Sequence, residues 1–343
     1  MLRPLLTSEE LRTLQQTIQE SERIVVCAHR GPDGDAVGST LGWAEYLKIQ
    51  GKQVRIVMPN PFPDFLRWLP NSQTIQFYAR HEETAGKVIA EADLIFCLDF
   101  NGLGRLLNMR EAVEKAEAVR VIIDHHLDPD RNMAAQVISF PELSSTSEVI
   151  FRLILQMGGF ETMTKPMATC LYTGMMTDTG GFTYNSSRSE IYEIISMLLT
   201  KRIDKDRIYR NVFNVYSVDR LRLTGYLLYE KLRFYAGNRA ALFTLTREEM
   251  KRFRFIRGDA EGLVNIPLQV KGCRLSISMR EDTERDVVRI SLRSVDEFPC
   301  NKMAEEFFNG GGHLNASGGE LPFPLEEAVK TVEHAIEVYS DRL

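Results

Sequence analysis

Two rhythms of apolar and polar residues take turns along the first 124 positions. Residues 8–21 place leucine and isoleucine at helical spacing, with Ser8 in position to cap and Glu9 and Glu10 in the first turn, where acids favour the helix dipole. Residues 24–28, Ile-Val-Val-Cys-Ala, are a short β-branched run, the pattern of a strand buried on both faces. A helix rich in small residues is expected at 36–48, stopped by Gly51, and a second strand at 53–58. Helix 82–92, strand 93–98, helix 103–118 and strand 119–123 repeat the alternation, which implies a parallel sheet covered by helices on both faces. Residues 59–70 interrupt it with four prolines around Phe62, Phe65 and Trp68, expected to form a satellite cluster.

Beyond Asp124 the pattern becomes mainly helical. Ser145 and Glu148 stand three apart before the apolar run 149–157, the spacing of a capping box. A helix at 166–176 runs into Thr177-Asp178-Thr179-Gly180-Gly181, and further helices are expected at 189–199, 204–213 and 218–235. From residue 239 the texture changes to strands at 240–245, 264–270, 274–279 and 287–292, with helices at 300–309 and 325–340. This reads as a second, smaller α+β domain able to fold by itself. The expected division is 1–190 for an α/β catalytic domain, 191–235 for a helical connector and 236–343 for the smaller domain, with the site in the cleft between the two.

Composition narrows the class. A chain of 343 residues is long for a single core, and 44% hydrophobic with 26% charged residues is the balance of an ordinary globular protein. No apolar run reaches the ~18 residues of a membrane span and the start has no signal-peptide core, so a cytoplasmic location is expected. The five cysteines are scattered, with no Cys-x-x-Cys pair, which excludes a disulfide framework or thiolate zinc site. A net charge of −5 argues against coating long nucleic acid, yet leaves room for a short anionic substrate held by a local site and metal ions.

The chemistry gathers where strands end. After strand 24–28 come His29, Asp33 and Asp35; after strand 93–98 comes Asp99; after strand 119–123 come Asp124, His125 and His126; and Asp178 closes an apolar helix. Carboxyl ends of parallel strands are where α/β sheets bind ligands. Asp33 read alone is as well explained as a helix cap in a Pro-Asp-Gly-Asp turn, and Asp178 as a turn residue. Together, however, the residues form an imidazole and carboxylate set without thiolates, suited to Mn²⁺, Mg²⁺ or a similar ion, and offer more ligands than one ion needs. Two ions clamping a phosphate, with hydroxide generated beside it, is the chemistry such a set supports. In the second domain Gly310-Gly311-Gly312-His313, close to Ser291-Leu292-Arg293-Ser294, reads either as a plain glycine loop or as a backbone nest for an anion.

At Asp124-His125-His126 the sequence resembles the DHH phosphoesterase superfamily. His29-x-x-x-Asp33-x-Asp35, Asp99, Asp124-His125-His126 and Asp178 match its four amino-terminal motifs in order, and Gly310-Gly311-Gly312-His313 matches the signature of the associated DHHA1 domain. The resemblance spans nearly the whole chain and is strongest to the nano-RNase/pAp-phosphatase branch. It implies one Mn²⁺ (or Mg²⁺ or Co²⁺) on His29, Asp33 and Asp99 and a second on Asp35, Asp99, His125 and Asp178, with Asp99 bridging. It further implies that Asp124 orients a histidine, that His126 faces the phosphate, and that Arg293, Gly311, Gly312 and His313 bind substrate. The implied activity is metal-dependent hydrolysis of very short oligonucleotides to mononucleotides, or of 3′-phosphoadenosine 5′-phosphate to AMP. Substrates are then short oligonucleotides or phosphorylated nucleotides, with no long duplex and no membrane, and a homodimer is one assembly open to the chain. Competing readings are a linear or cyclic dinucleotide phosphodiesterase, a (poly)phosphatase, and a nucleotide sensor without turnover. A dinucleotide-binding dehydrogenase is excluded at the first turn, where acids replace the glycines of G-x-G-x-x-G.

Overall fold

The computed structural model describes residues 2–256 and 258–343, and the chain divides into two compact units, Met1–Val215 and Tyr216–Leu343. The expected connector at 191–235 is shared between them, its first two helices belonging to the first unit and the rest to the second.

In the first unit α1 (Ser8–Glu20) leads into β1 (Arg23–Ala28), α2 (Gly34–Ile49), β2 (Gln53–Met58), β3 (Gln76–Phe77), α3 (Glu82–Ala90), β4 (Leu94–Leu98), α4 (Met109–Lys115), β5 (Val119–Asp124) and β6 (Gln136–Ser139). Four helices complete it: α5 (Thr146–Gln156), α6 (Lys165–Asp178), α7 (Ser189–Thr200) and α8 (Lys205–Phe213). The six strands are all parallel, in the order β3-β2-β1-β4-β5-β6. Successive β1 side chains alternate between two cores, as period two requires: Ile24, Val26 and Ala28 face α2, α5 and α6, whereas Val25 and Cys27 face α3 and α4. The chain leaves β1 toward β2 and returns on its other side as β4, so the topological switch point, where such sheets bind ligands, lies at the ends of β1 and β4.

Several sequence expectations are corrected here. The cap of α1 is Thr7, whose side chain forms a reciprocal box with Glu10, and not Ser8. Phe62 joins the main core, with Phe65 and Trp68 packed against it, and the three form no satellite cluster. The expected helix 103–118 is a short turn at Leu103–Leu106 followed by α4, because Leu107 takes a left-handed φ of 52° between them. Edge strands β3 and β6 carry too little apolar pattern to be read: Gln136 and Val137 are only half-buried.

Helix α2 packs closely on α6. A Cβ at Gly38 would lie 2.5 Å from the Cys170 carbonyl oxygen, so only glycine permits that approach. The second unit begins with α9 (Val218–Tyr226) and continues through a π turn at Leu227–Lys231 to β7 (Arg233–Tyr235), so the expected long helix 218–235 ends early in a strand. It goes on with β8 (Ala240–Leu245), α10 (Arg247–Arg252), β9 (Leu275–Glu281), β10 (Val287–Ser294), α11 (Cys300–Phe307), β11 (Gly311–His313), β12 (Ala316–Pro322) and α12 (Leu325–Val338). Residues 264–270, expected as a strand, form a 3-10 turn at Leu263–Gln269 that contains Pro267, which a central strand would not tolerate. The mixed sheet runs β11-β12-β10-β9-β8-β7.

Candidate metal centre

Each loop at the switch point presents its side chains in a defined way. His29 follows β1; its Nδ1 lies 2.7 Å from the Arg30 carbonyl, which leaves Nε2 to face the acids. Asp33 divides its two oxygens. Oδ1 caps α2, accepting the backbone N–H groups of Asp35 and Ala36 at 3.0 Å each, while Oδ2 stands 4.0 Å from His29 Nε2. The cap and the candidate ligand are thus one carboxylate.

Asp99 follows β4 in a left-handed conformation, φ 64°, uncommon for a residue with a Cβ and held by its N–H bond to the Ile123 carbonyl at 3.1 Å. This turns its carboxylate between two groups: Oδ2 lies 3.4 Å from His29 Nε2, and Oδ1 lies 3.6 Å from His125 Nε2 and 3.8 Å from His126 Nδ1. His125 Nδ1 is 3.3 Å from the Leu143 carbonyl, which orients Nε2 toward Asp99 and toward Asp178 Oδ2, 3.3 Å away. Among the described residues three sets of donor atoms could each surround an ion: His29 with Asp33 and Asp99; Asp35 with His125 and Asp178; and Asp99 with His125 and His126. The first has the residues of one expected ligand set, the second has those of the other without Asp99, and the third joins Asp99 to His126, which was expected to face the phosphate and not a metal. Asp124, fully buried at the end of β5, sits with Oδ1 2.7 Å from His126 Nδ1, so the histidine that it orients is His126.

The electrostatics are those of a cation site. Burial raises Asp35 well above the usual carboxylate range, and the charge of Asp99 adds to this; burial and the charge of Asp35 do the same to Asp178. Asp99 is itself buried, yet contact with His29 holds its carboxyl low. Burial disfavours the charged form of His29, but the Asp99 contact and the Asp33 charge lift it to about 9. His126 is likewise penalised by burial and raised on balance by Asp124 and Asp99. Four carboxylates and two imidazole Nε2 atoms converging at the switch point, with Asp35 and Asp178 driven toward neutrality by burial and by the charge of neighbouring acids, fit a pair of divalent cations of the oxygen- and imidazole-preferring kind.

Sequence reading missed the groups that hold the acids. Asp35 accepts the N–H of Thr146 through Oδ2 at 2.6 Å and that of Ser147 through Oδ1 at 2.9 Å, and Thr146 Oγ1 donates to Asp99 Oδ1 at 3.0 Å. The first turn of α5 is therefore a clamp as well as a helix start. Ser145 does cap α5, accepting the Glu148 N–H at 3.0 Å, but the Glu148 side chain does not close the expected box. Instead its Oε2 accepts from the Ser144 N–H at 2.9 Å and from Arg188 at 2.6 Å, pinning the clamp from behind. The signal available was the run Ser144-Ser145-Thr146-Ser147, four hydroxyls where one cap suffices.

The second unit places Arg293 and His313 in one cross-strand row. Arg293 on β10 and His313 on β11 both pair with Ala316 of β12. Their side chains therefore emerge on the same face of the sheet, two strand spacings or about 10 Å apart. Gly311 and Gly312 lie in the β11–β12 hairpin, so the glycine run is paired strand and not an open loop; a Cβ at Gly312, whose φ is 144°, would lie 2.6 Å from the Ala316 carbonyl oxygen.

Parallel strands that deliver acids and imidazoles to one switch point define an α/β protein with a candidate dinuclear metal centre. The sequence pattern of the DHH family, N-terminal domain, matches residues 23–175, which contain every one of these groups except Asp178. A bifunctional oligoribonuclease and PAP phosphatase, NrnA, of Thermus thermophilus is 27% identical over 331 residues, covering 96% of this chain and 94% of that protein. The cyclic-di-AMP phosphodiesterase PdeA of Listeria monocytogenes is 26% identical over 338 residues, but this chain spans only 49% of its length. The crystal structure of an exopolyphosphatase-related protein from Bacteroides fragilis is 51% identical and superposes with a TM-score of 0.95 over 99% of both chains. The chain belongs to the DHH phosphoesterase family, with its affinity to the oligoribonuclease and PAP phosphatase branch.

Proposed function

We propose that the protein is a Mn²⁺-dependent phosphoesterase that converts very short oligonucleotides to mononucleotides and 3′-phosphoadenosine 5′-phosphate to AMP. The observation that carries this reading is the division of Asp99, one oxygen toward His29 and the other toward His125, which suits two ions sharing one carboxylate. His29, Asp33 and Asp99 would hold one ion, and Asp35, Asp99, His125 and Asp178 the other. When bound, such a pair supplies positive charge beside the phosphoryl oxygens and makes water a competent nucleophile near neutral pH.

The residues of the chain do the rest. Thr146 and Ser147 fix the position of Asp35 through N–H bonds to its two oxygens, and the carbonyls of Arg30 and Leu143 orient the His29 and His125 rings. His126, which despite its burial retains its proton more readily than an ordinary histidine because of Asp124 and Asp99, would give that proton to the departing oxygen or stabilise the phosphate charge. Arg293 and His313, with the Gly311 and Gly312 backbone, hold a substrate phosphate in the unit that we assign as the DHHA1 domain. Near full-length similarity to a relative named for both activities supports the choice of substrates.

The test is a comparison of rates. Metal-stripped protein is given Mn²⁺ and a labelled dinucleotide, a long single strand, 3′-phosphoadenosine 5′-phosphate, cyclic di-AMP and polyphosphate. The reading requires the first and third to be turned over fastest and chelator to stop both. Preference for cyclic di-AMP or polyphosphate, or binding without turnover, would replace it.

A further inference from the structure

The loop after Asp178 has a backbone that few loops adopt. Gly180, Gly181, Phe182 and Asn185 all have positive φ, at 55°, 74°, 65° and 45°. Thr179 holds the loop together: Oγ1 accepts the Phe182 N–H at 3.1 Å, and its carbonyl accepts those of Thr183 at 2.9 Å and Tyr184 at 3.2 Å. Phe182 anchors the loop against Tyr172, with ring centroids 5.6 Å apart.

This construction folds the Tyr184 ring back over Gly180. A Cβ at Gly180 would lie 2.2 Å from Tyr184 Cε1 and 2.8 Å from Cζ, so the ring occupies the space that any other residue would fill. Gly180 is two residues beyond Asp178, which puts its Cα within about 7 Å of the candidate metal ligand's. Tyr184 nevertheless remains 53% exposed. An aromatic ring is thus fixed against the backbone two residues beyond Asp178, and its position is set by left-handed backbone and by the absence of a side chain at Gly180. A phenol ring offers no positive charge to phosphate. Its π surface can stack on any nucleobase, the contact that sequence-tolerant single-strand binding uses.

We propose that Tyr184 is the stacking platform for a nucleobase of the substrate nucleotide whose phosphate lies at the metal centre. This rests on the reading of the protein as a nucleotide phosphoesterase and adds a determinant of preference for nucleotides over base-free phosphates.

The test pairs a 5′-phosphorylated adenylyl dinucleotide with two analogues in which one base or the other is replaced by hydrogen. Binding is followed by calorimetry with Ca²⁺ in place of Mn²⁺, and turnover is followed separately with Mn²⁺. Tyr184→Ala and Tyr184→Leu should weaken binding of the complete dinucleotide about 5- to 150-fold, the range for loss of one stacked base. Both should leave unchanged the Kd of the analogue that lacks the stacked base, and Tyr184→Phe should behave as the parent. Equal weakening of the complete dinucleotide and both analogues would assign Tyr184 a purely structural role, and unchanged binding throughout would remove it from the site. If base-dependent binding is lost in Tyr184→Ala while the parent hydrolyses no phosphoester, the stacking assignment stands and the phosphoesterase reading falls.

Discussion

Gly174 lies on α6 where the helix passes the clamp that holds Asp35, and replacing its hydrogen tests whether that clamp sets the metal centre. A Cβ there would lie 1.9 Å from Ser147 Oγ and 2.8 Å from Asp35 Oδ1, against ordinary contacts beyond 3.4 Å. Ser147 is fully buried, so it cannot swing into solvent, and moving it moves the N–H that Asp35 accepts at 2.9 Å. Overpacking of this kind costs about 1–3 kcal/mol, offset by about 1 kcal/mol of helix propensity gained in going from glycine to alanine. Gly174→Ala should therefore lower stability by at most ~2 kcal/mol, while loss of an outer-shell contact should weaken Mn²⁺ binding about 10- to 100-fold. Ser147 Oγ is the atom that the added Cβ would strike, so Ser147→Ala combined with Gly174→Ala should restore much of the affinity that Gly174→Ala loses. Calorimetric Mn²⁺ titration of the four proteins in this cycle gives the coupling. Parent-like affinity in Gly174→Ala, or strictly additive effects in the double variant, would refute the claim that the first turn of α5 positions the centre.

Asp99→Ala should remove bound metal from both ligand sets, as measured by elemental analysis, because its two oxygens face different sets; two ions retained per chain would end its bridging role. His126→Ala should keep its metal but lose about 10²- to 10⁴-fold in turnover, the range for a missing general acid, and loss of an ion in that variant would make His126 a ligand instead. In the second unit burial pushes the Asp282 carboxyl up, but N–H bonds from Glu284 and Arg285 and the Arg289 guanidinium win and bring it to about 2. A carboxyl held below its unfolded value of about 3.9 stabilises the fold above that pH by roughly 2 kcal/mol, and this contribution is lost as pH falls through about 2. The Tm deficit of Asp282→Asn should accordingly be full at pH 6 and shrink toward pH 2, and a deficit constant over that range would contradict the assignment.

The parallel β-α alternation could be read because strands buried on both faces are written as unbroken apolar runs, such as Ile24 to Ala28, whose burial is nearly complete. The same rule hid β6, an edge strand with half-buried Gln136 and Val137, and made residues 264–270 a false strand, since the apolar residues there belong to the 3-10 turn Leu263–Gln269. The acids and histidines of the centre were legible because loops after strands carry few other reasons to hold them. What positions them was not: Thr146 and Ser147 act through backbone N–H groups, which any residue possesses, and Gly174 acts through an absent side chain. The left-handed turn of Asp99, which points its two oxygens at different histidines, has no sequence signature at all.

The central claim is that these side chains form one two-ion centre that hydrolyses short nucleotide phosphoesters. Its most direct test is to titrate Mn²⁺ into metal-stripped protein and measure bound ions per chain and dinucleotide hydrolysis in the same samples. Binding should saturate at two ions per chain, with hydrolysis rising as the second site fills and disappearing on chelation. Saturation at a single ion with full activity, or hydrolysis that persists after both ions are removed, would contradict it.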